Sequence, residues 1–137
     1  MIKDLDYTLP DRVFYSQLMQ INREFVMMPE FDRQWKRLGL GDEELRQLQQ
    51  ELLENPKAGY VLRGTKGLRK YRITFPVRGK SGSGRVAYVD FTVYETIYLI
   101  TAYPKSEKDN LSAEERNEIA KVIVILENGL KKQEIRK

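Results

Sequence analysis

From Lys70 to Phe75 the chain alternates in character: Tyr71, Ile73 and Phe75 are apolar, and Lys70, Arg72 and Thr74 are polar. Period-two alternation fits a β-strand, whose successive side chains leave on opposite faces. Such a strand buries Tyr71, Ile73 and Phe75 against helices and keeps Lys70 and Arg72 on the other face, because unpaired buried cations are strongly unfavourable. That strand then has one apolar and one cationic face. Two cations at i, i+2 sit about 7 Å apart on such a face. A strand is expected over 68–75, a second over 85–93 that brings Arg85 alongside, and a third over 97–103, closed by Pro104. The stretch from Thr92 to Thr96 holds the turn between the last two.

The other elements follow from spacing. Phe25-Val26-Met27-Met28, closed by Pro29, reads as a short strand. Phe31, Trp35 and Leu38 mark a helix that stops at Gly39. Asp42 is expected to cap a second helix with the stripe Leu45, Leu48, Leu52 and Leu53, ended by Asn55-Pro56. The two make a helical hairpin. Ser112-Ala113-Glu114-Glu115 is a capping box that opens a last helix, with Ile119, Val122, Ile123, Leu126 and Leu130 on one face. The fold class is α+β: a small antiparallel sheet of about four strands, with an N-terminal helical hairpin and a C-terminal helix. Residues 1–21 form an N-terminal extension. A short helix is expected there, with Phe14, Leu18 and Ile21 packed on the helical layer or on a second copy. The main domain spans 22–130, and the basic tail 131–137 is expected to fray.

Charge is concentrated. Nine cations lie between Asn55 and Val89 and no acid does, so the rest of the chain holds 15 cations against 20 acids. A focused basic segment on a mildly acidic scaffold is the footprint of a polyanion site, nucleic acid first. A merely solvated basic face is the alternative. The chain has neither cysteine nor histidine. That excludes disulfides, thiolate metal sites, cysteine nucleophiles and Ser-His triads, so catalysis must use Lys, Arg, Tyr, Asp or Glu. No cofactor is expected. The helical glutamates show no paired arrangement, so no metal is expected either. No apolar run approaches the roughly 18 residues of a membrane span, and the first residues lack a signal-peptide pattern. The expectation is a cytoplasmic protein without membrane contact.

Gly79-Lys80-Ser81 looks like the end of a phosphate-binding P-loop, but position 74 is Thr and the segment leads into a strand. A P-loop must open a helix, so both departures argue against nucleotide hydrolysis. The glycine-rich loop Arg78–Gly84 could still approach a phosphate, or be a plain hairpin loop. Tyr71, Tyr88, Tyr98 and Tyr103 fall on the strands, where each could stack a base or fill the core. Tyr103, at a strand end beside Pro104 and Lys105, is the one placed to reach a site. Trp35 belongs to the core.

Several blocks together resemble the RelE/HigB family of bacterial toxins. They are Phe31-Asp32-Arg33-Gln34-Trp35, Asp42 to Leu48, Glu54 to Gly59, Arg63 to Arg72, Arg78 to Gly82, Gly84 to Tyr88, Ile97-Tyr98-Leu99 and Lys108 to Ser112. The block Arg63-Gly64-Thr65-Lys66-Gly67-Leu68-Arg69-Lys70-Tyr71-Arg72 is similar to the family's Gly-Thr-Gly-Gly-Leu-Arg-Lys-x-Arg signature, with Lys66 in place of a glycine. Tyr103-Pro104-Lys105-Ser106 stands where the family has Tyr-Ala-Lys-Asn, and Asp90 stands where a bulkier residue is expected.

The resemblance implies a type II toxin that cuts mRNA in the ribosomal A site, in contact with the ribosome and its 16S rRNA. It also implies silencing by a cognate antitoxin of helix-turn-helix type. Cleavage by the RNA's own 2′-OH needs a base, charge stabilisation at phosphorus and a proton for the leaving oxygen. The candidate catalytic residues are Lys70 as general base or stabiliser, Arg72 and Arg85 as phosphate clamps, and Tyr103 or Lys105 near the leaving group. The candidate RNA contacts are Lys66, Arg69, Arg78, Lys80 and Tyr88. The rival readings are a ParE-like toxin that inhibits gyrase and a nonenzymatic RNA- or DNA-binding module.

Overall fold

A computed structural model of the protein describes residues 22–77 and 80–136. In chain order the elements are β1 (Glu24–Met27), α1 (Pro29–Arg37), α2 (Asp42–Glu54), β2 (Tyr60–Val61), β3 (Arg69–Val77), β4 (Lys80–Phe91), β5 (Thr96–Pro104) and α3 (Ala113–Arg136). The expected helix within 1–21, with Phe14, Leu18 and Ile21, lies outside the described residues.

The five strands form one sheet in the order β1-β5-β4-β3-β2. β3, β4 and β5 pair antiparallel, as expected, β2 adds an unforeseen antiparallel strand beside β3, and β1 lies parallel to β5 at the sheet's edge. The sheet is therefore mixed, because the α1–α2 hairpin and the next three strands intervene before β5 and return the chain in β1's direction. β2 is only two residues long, too short to leave a periodic signal.

Helices cover both faces. On one, Phe31 and Trp35 of α1 and Leu48 and Leu52 of α2 pack with Phe75, Val86, Tyr88, Ile97, Leu99 and Ala102. Each such fully buried Phe or Leu contributes about 1.5–3 kcal/mol. Phe31 and Trp35 stack 5.1 Å apart, and the Trp35 indole donates to the Gly41 carbonyl at 3.1 Å. On the other face, Ile123 and Leu130 of α3 pack with Leu68, Ala87, Val89, Phe91 and Ile100. Tyr71 and Ile73 side with the helical hairpin, as the alternation predicts. No described helix is long and apolar enough to cross a membrane.

Local chemistry explains the boundaries. Gly39 takes φ +78° in the turn that ends α1, a conformation glycine adopts without strain. Gly41, and not Asp42, is the N-cap of α2: its amide donates to Glu44 at 2.7 Å. The capping box of α3 forms in full, with the Glu115 amide donating to Ser112 Oγ at 3.0 Å and the Ser112 amide donating to Glu115 at 2.9 Å. α3 continues through the tail expected to fray, to Arg136, because Lys131 and Lys132 are good helix formers and suit the negative end of the helix dipole.

The glycine-rich segment expected as a loop is mostly strand. Ser81, Gly82, Ser83 and Gly84 pair with Pro76, Phe75, Thr74 and Ile73. At Gly84 a Cβ would stand 2.7 Å from the Tyr103 carbonyl oxygen and 3.0 Å from the Phe75 ring. Close strand approach, and not a phosphate cradle, accounts for that glycine.

Candidate active site

Antiparallel partners share a face. The register Arg72↔Arg85↔Tyr103 therefore sets two arginines and a tyrosine in one row across β3, β4 and β5. Lys70, paired with Ala87, lies on the same face, the face on which Ala87 and Tyr103 pack with α3.

A bulge decides the position of Tyr103. The β4–β5 register jumps between Ala87 and Tyr88, which pair with Thr101 and Leu99, so Ile100 is the extra residue. With unbroken alternation Tyr103 would share a face with Ile97 and Leu99, which pack under the helical hairpin. The bulge turns it to the opposite face, beside Arg85.

The segment joining β5 to α3 closes over this row. Arg85 is only 4% exposed; its Nη1 donates to the Gly84 carbonyl at 3.0 Å and its Nη2 to Asp109 Oδ1 at 2.5 Å. Lys70 Nζ donates to Asn110 Oδ1 at 2.7 Å. Lys108 Nζ stands 5.3 Å over the Tyr103 ring and donates to Glu115 at 2.5 Å, which holds the Glu115 carboxyl below its usual range. Residues 108, 109 and 110 thus touch Tyr103, Arg85 and Lys70 in turn. The Tyr103 hydroxyl is buried with no hydrogen-bond partner among the described residues. Burial pushes its pKa up to about 12, against the opposing pull of Arg85. At neutral pH it is therefore a proton or hydrogen-bond donor and not a base. Arg72 is exposed.

Two guanidinium groups, an ammonium and a neutral phenol thus share one face. The set can grip a phosphodiester, oppose charge growing at phosphorus and donate to a leaving oxygen. Among the described residues, no group of three or more His, Cys, Asp or Glu could hold a metal ion.

The remaining candidates are scattered. Lys105 is exposed, one residue beyond β5; its amide donates to the Ser83 carbonyl at 2.9 Å, so the ladder continues past Pro104. Lys66 is exposed and lines a cavity at the far end of the sheet with Val89, Asp90 and Thr92. Arg69, a candidate RNA contact, is half-buried and also serves as a structural tie. It pairs with Tyr88 on the face opposite Lys70, and its Nη1 donates to the carbonyls of Lys57 at 3.1 Å and Gly59 at 2.7 Å. Tyr88 is corrected from RNA contact to core residue. It is fully buried, its hydroxyl donates to the Pro56 carbonyl at 2.8 Å and accepts from the Gly59 amide at 3.0 Å, and no face is left for a base. Arg78 lies outside the described residues, and Lys80 opens β4.

Tyr88→Phe is expected to cost about 1–3 kcal/mol by leaving the Pro56 and Gly59 groups unpaired, with no change in RNA affinity. Thermal unfolding beside RNA titration checks both. A variant of full stability with weakened RNA binding would restore Tyr88 as an RNA contact.

Asp109 and Asn110 fall in the block Lys108 to Ser112 that carries the family resemblance, but the sequence assigns them no role at the site. Beyond that block their signal is position: an acid and an amide in the connection that follows Tyr103. Asp90 does not act on the cationic row. It faces the other way, paired with Arg23 at 2.8 Å.

A family model described as the RelE toxin of the RelE/RelB toxin–antitoxin system matches residues 26–137, which include every residue of the row and of the segment closing over it. Among solved structures, a double arginine-to-alanine mutant of E. coli toxin RelE in the free state is 20% identical. That match covers 64% of this chain and 87% of that one, with a TM-score of 0.46. With the family match spanning most of its length, the chain belongs to the RelE toxin family of toxin–antitoxin systems.

Proposed function

We propose that this toxin is a metal-independent endoribonuclease that cuts mRNA in the ribosomal A site and so stops translation. The observation that supports this best is the convergence of Lys70, Arg72, Arg85 and Tyr103 on one sheet face. Binding a protein target does not need those cations together; a phosphorus centre gaining negative charge does.

In the proposed reaction the RNA's 2′-oxygen attacks the adjacent phosphorus. A P–O bond forms, the bond to the 5′-oxygen breaks, and the products are a 2′,3′-cyclic phosphate and a free 5′-hydroxyl. Lys70 acts either as a neutral amine that takes the 2′ proton or as an ammonium that stabilises the departing charge. Arg72 and Arg85 hold the non-bridging oxygens. Tyr103, neutral and in the same row, is better placed than Lys105 to supply the leaving oxygen's proton.

Family membership implies a cognate antitoxin. A helix-turn-helix antitoxin, mRNA and 16S rRNA are the partners of this reading, in the cytoplasm, and 22–130 is its toxin domain. The test is to add the protein to translating ribosomes programmed with a defined mRNA and map new 5′ ends. Cyclic-phosphate products that depend on ribosomes are expected. Intact mRNA with inhibited gyrase would favour the ParE-like reading. RNA bound in a salt-dependent way but never cut would favour a binding module.

A further inference from the structure

The contacts of Asp109 and Asn110 go further. A phosphodiester offers two non-bridging oxygens to the cations that hold it. In the free protein, two oxygens from adjacent residues already meet those cations: Asp109 Oδ1 on Arg85 and Asn110 Oδ1 on Lys70. The pairing is lopsided in exposure, with the Arg85 side chain 5% exposed and that of Asp109 51%. The cation is built into the sheet, and the anion reaches it from the solvent side. Main-chain hydrogen bonds and packing fix the segment at both ends, and between them Asp109 and Asn110 are held by their side-chain bonds to Arg85 and Lys70. At one end the amides of Glu107 and Lys108 donate to the Pro104 carbonyl. At the other, Leu111 is buried in the core and Ser112 caps α3. The buried Tyr103 hydroxyl has no partner among the described residues, as expected of a donor whose acceptor arrives with another ligand.

Resting on the nuclease reading for the ligand's chemistry, we propose that Asp109 and Asn110 occupy the seat of the substrate's scissile phosphodiester. The free toxin is then self-closed, and RNA binds by exchanging a phosphate for the Asp109 carboxylate. The bound phosphate takes over Arg85, Lys70 is released from Asn110 to its role beside the reacting oxygens, and displacement of residues 108–110 opens Tyr103 to the leaving oxygen.

The probe is a trinucleotide RNA methylated at the attacking 2′-oxygen, which cannot be cut, titrated at fixed salt into the full-length protein. Asp109→Asn and Asp109→Ala are expected to bind it about ten-fold more tightly than the parent, and Asp109→Glu to bind like the parent. Glu107→Gln removes the same charge from the same segment without touching Arg85; less than a two-fold gain is expected. Equal affinity in parent, Asp109→Asn and Asp109→Ala would overturn the proposal. So would weaker binding by a folded Asp109→Asn variant, or an equal gain from Glu107→Gln, which would reduce the effect to general charge. Binding is read without cleavage, so the two readings fail separately. Tighter binding with no cutting on ribosomes would leave the closure and remove the nuclease; cutting by the parent with equal affinities would do the reverse.

Discussion

Arg85→Ala is expected to slow mRNA cleavage by about 10²–10³-fold, the usual effect of removing one preorganised donor to a developing oxyanion. The expectation rests on where Arg85 sits. Its guanidinium is held by the Gly84 carbonyl and by burial in the sheet, so it is aimed before substrate arrives. A fixed donor needs no reorganisation as charge builds up at phosphorus. Arg72, in the same row but exposed, is less constrained, so its loss alone should cost less. Changing Lys70→Ala together with Arg72→Ala should again approach the Arg85→Ala loss. Arg85→Lys keeps the charge but not the planar fork, and should recover only part of the rate. Folding is not expected to confound the result, since Asp109, the partner left behind, is half exposed. Single-turnover cleavage on ribosomes, beside thermal unfolding and growth arrest on induction, checks it. A folded Arg85→Ala variant within three-fold of the parent rate would remove Arg85 from the chemistry.

The row of cations was legible because alternation is a local property. Lys70 and Arg72 on one side, with Tyr71, Ile73 and Phe75 on the other, follow from six consecutive residues, and the strand they form is the one observed. The helical hairpin and the capping box of α3 were legible for the same reason. What escaped depends on partners distant in sequence. The bulge at Ile100 leaves no mark in composition, yet it decides which face Tyr103 takes. β1 pairs with a strand some 70 residues later, and nothing in Phe25-Val26-Met27-Met28 says that the pairing is parallel. Residue type points Tyr88 to RNA, whereas its burial and the hydrogen bonds that it and Arg69 make close the turn before β2. Asp109 lies outside the acid-free segment, and its role depends on Arg85, which lies far from it in sequence and beneath it in the fold.

The second large effect is on stability, at the opposite side of the sheet. Asp90 is an ionisable group with a side chain 1% exposed, and Arg23 is its main partner, through Nε at 2.8 Å and Nη2 at 3.3 Å. Arg23 precedes the edge strand β1 and reaches across β5 to β4, so the pair fastens three strands. Removing one member of a buried pair leaves an uncompensated charge and typically costs about 3–5 kcal/mol. The Thr92 hydroxyl still donates to Asp90 at 2.9 Å and Lys57 remains 3.8 Å away, so the lower end applies. Arg23→Ala is expected to lose about 3 kcal/mol, or about 10 °C in melting temperature for a chain of this size. Adding Asp90→Asn should restore a large part of that loss, because an amide needs no counter-charge. Cleavage measured below the transition should stay near the parent rate, since Asp90 faces away from Arg85. A loss below about 1 kcal/mol for Arg23→Ala would mean that Thr92 and Lys57 suffice. No recovery in the double variant would mean that Arg23 acts through packing of its stem and not through its charge.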